Sequence, residues 1–106
     1  MASGILGQQA LGATTLTTVY TVPASTLGVV NINITNRSTS AAADVRVALA
    51  STETPTNAEY IEYDAVIPAR GVLERTAVVM NATKQVVVYA STANCSVSVY
   101  GLEQSV

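Results

Sequence analysis

The chain has no histidine, no tryptophan and no phenylalanine, and its one cysteine is Cys95. Each absence removes a class of chemistry. Without histidine there is no Ser-His-Asp or Cys-His nucleophilic arrangement and no imidazole ligand for a metal. A single cysteine rules out an intramolecular disulfide framework and a zinc ribbon. Cys95 is expected as a small buried apolar residue of a strand, with an intermolecular disulfide or a reactive thiol as the alternative. Charge is scarce too. Charged residues make up 11% of the chain, for a net charge of −2 and a pI near 4.8. That leaves no electrostatic footprint for nucleic acid or an anionic membrane, so neither is an expected partner. No run approaches the ~18 apolar residues of a membrane span. Residues 1–7 lack a basic n-region and a sustained apolar h-region, so a secretory signal is not expected. No Gly-rich phosphate loop or dinucleotide fingerprint is present. The expectation is a protein that is not an enzyme, with no cofactor, no metal and no catalytic residue.

What is present is aliphatic and β-branched. Apolar residues form 49% of the 106 and the mean hydropathy is +0.37, which excludes a disordered chain. The length fits one domain. With five tyrosines as the only aromatics, the core must come from Val, Ile, Leu and Ala. Each such side chain contributes about 1.5–3 kcal/mol when fully buried, against about 1–2 kcal/mol of backbone entropy for every ordered residue. From that slender margin follows the expectation that self-association, or docking onto a larger body, supplies part of the stability.

Residues 1–13 are rich in Gly, Gln and Ala and do not alternate. They read as a flexible arm, either frayed or lying across a neighbouring subunit with Ile5, Leu6 and Leu11 as anchors. From residue 14 to 106 the pattern is strand after strand. Residues 14–22 are β-branched up to Pro23, which ends or edges the strand. In 27–35, Val30, Ile32 and Ile34 face one way and Asn31, Asn33 and Thr35 the other, which means one buried and one wet face. Val45, Val47 and Leu49 alternate against Asp44, Arg46 and Ala48. Further strands are expected at 59–67, 72–80, 85–90 and 95–102. Pro68-Ala69-Arg70-Gly71 is the clearest turn, with Gly71 expected at positive φ. About seven short strands at regular spacing predict an all-β, single-domain antiparallel β-sandwich, jelly-roll or Ig-like. No repeat of about 20–50 residues suggests a solenoid or propeller.

The one carboxylate cluster is Glu59, Glu62 and Asp64. On a regular strand Glu62 and Asp64 share a face with Tyr60, and Glu59 shares the other with Ile61 and Tyr63. Paired carboxylates serve glycosidases or Ca²⁺ sites, but a solvated or interface face is the expected role here. Asn-X-Ser/Thr sequons at Asn33, Asn36, Asn81 and Asn94 are chance matches unless the protein is eukaryotic and secreted. Arg37, Arg46, Arg70 and Arg75 are expected in surface or intersubunit pairs, Arg46 or Arg75 with a carboxylate on a neighbouring strand. The tyrosines suit half-buried core positions or interfaces.

Four stretches then carry a resemblance: VYTVPASTLGVVNINITNRS (19–38), ADVRVALA (43–50), AEYIEYDAVIPARGVLERTAVVM (58–80) and VVVYASTANCSVSVYGLE (86–103). In this order, and ending in the Tyr100-Gly101 pair, they resemble small virion structural modules of tailed bacteriophages over residues 15–103. The resemblance implies a virion protein without an active site, assembled in the bacterial host cytoplasm. Its implied partners are other virion proteins, either the major capsid protein or tail and collar proteins, and further copies of itself. The short length favours a capsid decoration (cement) protein. A tail, collar or fibre-associated module is the alternative, and a carbohydrate-binding sandwich a further one, its exposed tyrosines stacking on sugars.

Overall fold

In the computed structural model, which describes residues 2–106, the alternating apolar stretches become eight strands. They are β1 (Ser3–Ala10), β2 (Thr17–Thr21), β3 (Thr26–Asn36), β4 (Ala43–Ala50), β5 (Tyr60–Ile67), β6 (Val72–Met80), β7 (Gln85–Ala90) and β8 (Cys95–Ser105), with one turn of 3-10 helix at Asn57–Glu59. They form two four-stranded antiparallel sheets, A in the order β1-β8-β3-β6 and B in the order β2-β7-β4-β5. Strand β1 pairs with β8, β2 with β7, β3 with β6 and β4 with β5. One long hairpin turned between β4 and β5 and rolled up on itself gives this pairing, with β3–β8 and β4–β7 as the added seams. The chain is therefore an all-β sandwich, and of the two expected types the strand order is that of a jelly roll.

The period-two pattern sets the core. Val30, Ile32, Ile34, Val97 and Val99 of sheet A meet Val45, Val47, Val86 and Val88 of sheet B, and all are buried. Tyr20 is the aromatic exception. Its ring lies in the core and its hydroxyl donates to Glu103 Oε2 at 2.6 Å. Burial first, then this bond, pushes the phenol pKa well above its ordinary value. The same bond holds the Glu103 carboxyl below its own.

The expected arm is a strand. Residues 3–10 pair with β8 from Ser3↔Leu102 to Ala10↔Ser96, and Met1 alone lies outside the described residues. Leu6 packs against the chain's own core and Leu11 is buried in it, whereas Ile5 is 62% exposed. The glycine content that disguised this strand also permits it. A Cβ at Gly7 would lie 2.2 Å from the Val19 carbonyl oxygen of β2, so only glycine allows the two sheets to close on this side. A second departure concerns the turn after β5, where Arg70 takes the positive φ (62°) in place of Gly71, and the Gly71 N–H donates to the Pro68 carbonyl at 2.8 Å.

The sheet edges are irregular and the interior is not. All four edge strands, β1, β2, β5 and β6, shift register against their inner neighbours, while the β3–β8 and β4–β7 seams run unbroken. Bulges twist an edge away from straight pairing, a device that discourages edge-to-edge association. At the β5 and β6 bulges Asp64 and Ala77 adopt φ of 55°. Arg75 of β6 reaches across to Glu62 of β5 at 2.6 Å and latches the two sheets along this margin.

Candidate functional site

With the edges blunted, surface chemistry concentrates on the two outward faces. The carboxylate cluster that the sequence singles out is dispersed among three tasks. Glu59 accepts from the Thr56 N–H at 2.9 Å and the Ser51 N–H at 3.0 Å. These bonds, Thr56 first, hold its carboxyl below the ordinary range. Glu62 turns inward to Arg75, and Asp64 turns outward to Arg46, with Nε–Oδ1 at 2.6 Å. Glu62 and Asp64 therefore do not share a face, contrary to the reading of β5 as a regular strand. The register shifts beside Val47, with the positive φ of Asp64, insert extra residues and reverse the facing. Among the described residues no group of three or more His, Cys, Asp or Glu side chains is placed to hold a metal ion.

On the outward face of sheet B, Arg46 is the hub. Its guanidinium carbon sits 4.1 Å from the Tyr63 ring centroid and 4.7 Å from that of Tyr89. The bond to Asp64 is the main reason its pKa is raised. The Tyr63 ring stands edge-on to Tyr60, with centroids 5.0 Å apart and planes at 87°. Tyr60 in turn packs on Ala48, Ala50 and Val87, a small second cluster buried on this face. Asn57, Tyr60 and Tyr63 line an open depression of ≈ 430 Å³. Sequence reasoning paired Arg46 with a carboxylate correctly. It missed the Tyr–Arg–Tyr stack, which joins strands β4, β5 and β7.

The outward face of sheet A is aliphatic at one end and polar at the other. Register aligns Leu102, Val29 and Val79 in one row across β8, β3 and β6, and Ile5, Tyr100 and Asn31 in the next. Ile5 and Val79 are each 62% exposed, and Leu102 48%. These two rows contain no charged side chain. Farther along, Gln8 donates to Ser98 at 3.3 Å, and the Tyr100 hydroxyl donates to Glu74. The sequence placed Ile5 in the arm and gave no hint of this patch, because its members come from four strands.

The remaining candidates have structural roles. Asn36 is buried and its amide donates to the carbonyls of Ala41, Ile67 and Pro68, so this sequon is unusable in the folded protein. Asn33 lies within β3, and Asn81 and Asn94 are in exposed turns. Cys95 is buried at the start of β8, and burial raises its thiol pKa. Arg37 donates to the Ala93 carbonyl at 3.3 Å. No protein-family model, no curated protein and no solved structure matches this chain.

Proposed function

We propose that the chain is a non-enzymatic structural protein of a tailed-phage virion, a decoration or cement module that docks on the assembled head through the outward face of sheet A. The observation that carries this reading is the charge-free double row around Val29, Val79, Leu102 and Ile5. Contiguous exposed apolar side chains on a soluble domain mark contact surfaces. The bulged edges channel association away from strand addition and toward the faces. An aliphatic sheet face suits a repeating protein lattice, where added interfacial area reinforces junctions under internal pressure. The jelly roll is compatible with this role but hosts many others, so the weight rests on the face and on the sequence resemblance. The major capsid protein is the proposed partner, with further copies of the chain around each junction.

Electron cryomicroscopy of virions tests the proposal. Density for the sandwich on the head, with sheet A against the capsid, is the expected result. Density confined to the tail or collar would replace it with the tail-module reading.

A further inference from the structure

We infer that the corner made by Tyr60, Tyr63 and Asn57 on the outward face of sheet B is a binding site for a neutral saccharide. The inference is independent of the head-docking reading, since it uses the opposite face. With rings 5.0 Å apart and 87° between planes, one tyrosine forms a floor and the other a wall. The depression they bound with Asn57, ≈ 430 Å³, falls in the size range of small-ligand sites, about 300–1,000 Å³. Both rings are held before any ligand arrives. Tyr63 is gripped by Arg46, itself fixed by Asp64, and Tyr60 rests on buried Ala48, Ala50 and Val87. A prearranged site loses little freedom on binding.

The corner also carries polar groups: the Tyr60 and Tyr63 hydroxyls and the Asn57 side-chain amide belong to the residues that line the depression. A pyranose ring supplies what such a corner takes: a C–H face for the aromatic surface and hydroxyls for the phenols and amide. Other ligand classes fit less well. Arg46 already occupies the cation position over Tyr63 and Tyr89. An anion finds no free countercharge, because Arg46 is paired with Asp64 and Lys84 donates to Ser51 beside Glu59. A polyproline segment needs an aromatic-lined groove, and two perpendicular rings form a corner instead.

The test is an array of neutral hexose and N-acetylhexosamine oligomers alongside sialylated glycans. Hits are then titrated by tyrosine fluorescence and by amide chemical-shift mapping on the unmodified chain. A neutral glycan is expected to bind, to shift the amides around residues 57–63, and to lose about tenfold in affinity in Tyr63→Ala, while Val79→Ser on the opposite face binds as before. Shift mapping on the unmodified chain locates the site even if the Tyr63 variant folds poorly. No neutral glycan bound at millimolar concentration, binding of sialylated glycans alone, or shifts that map to sheet A would each overturn the inference.

Discussion

The two outward faces of this sandwich share one core but differ in how they present apolar surface. Sheet A shows aliphatic side chains directly to solvent in adjacent rows, without a charge among them. Sheet B conceals its apolar residues, Ala48, Ala50 and Val87, beneath Tyr60 and arranges a cation, a carboxylate and rings in fixed geometry above them. An uncharged aliphatic row has shape but little directional chemistry, which suits a broad protein contact. A stack of rings around a paired arginine is directional and fits a small, specific ligand. The difference teaches that the small, nearly uncharged composition need not mean a uniform surface.

The largest expected effect lies beneath the sheet A face. Gly101 adopts φ of 154°, and a Cβ there would stand 2.1 Å from the Val29 carbonyl oxygen. Gly101→Ala should separate β8 from β3 and cost on the order of 3 kcal/mol in urea unfolding. An unchanged unfolding midpoint would mean that the seam yields and that the face is not rigidly built.

Next come the faces themselves. Leu102→Glu should leave stability within about 0.5 kcal/mol of the parent yet weaken head binding about a hundredfold. Tyr63→Ala should leave head binding unaltered. Equal losses from both variants would erase the distinction between the faces.

Stability should fall at both pH extremes, through carboxylates at both sheets in acid and through the core tyrosine in alkali. Glu59, near the sheet B corner, and Glu103, at the end of sheet A, have carboxyls held below the ordinary 4.5. Their contribution is complete above that value and disappears as pH falls through the lower folded-state values. Tyr20 is raised above 10.0, chiefly by burial. Its contribution is complete below 10.0 and disappears as pH climbs beyond it. Thermal unfolding across pH in Glu103→Gln should show a weakened acid limb. An acid limb identical to the parent's would assign it to other carboxylates.

The smallest effect concerns the edge. Ala77 sits at φ of 55° in the β6 bulge, and Ala77→Gly should stabilise by about 0.5–1 kcal/mol, the relief of left-handed strain less the entropy of glycine. A loss of stability in chemical unfolding would show that the alanine side chain matters to the edge.

Most of the fold was legible because it follows from alternation. Val30, Ile32 and Ile34 against Asn31, Asn33 and Thr35 identified β3, its buried face and its wet one. Strands β6 and β7 fall at their expected bounds. Strand β1 was not legible, since Gly7, Gln8 and Gln9 carry no strand signal of their own. Its register comes from β8, a partner nearly the whole chain away. The carboxylate cluster was visible but its facing was not, because a bulge depends on the neighbouring strand and any residue tolerant of positive φ can host it. Both outward faces are assembled from several strands, so neither exists in a local window of sequence.

The contrast between the faces is tested most directly by co-sedimentation with undecorated, DNA-filled tailed-phage heads, using the parent chain, Val79→Glu and Tyr63→Ala. Sedimentation of the parent and Tyr63→Ala with heads, and failure of Val79→Glu, is the predicted result. Equal binding of all three, or no binding of the parent to heads, would contradict docking through sheet A.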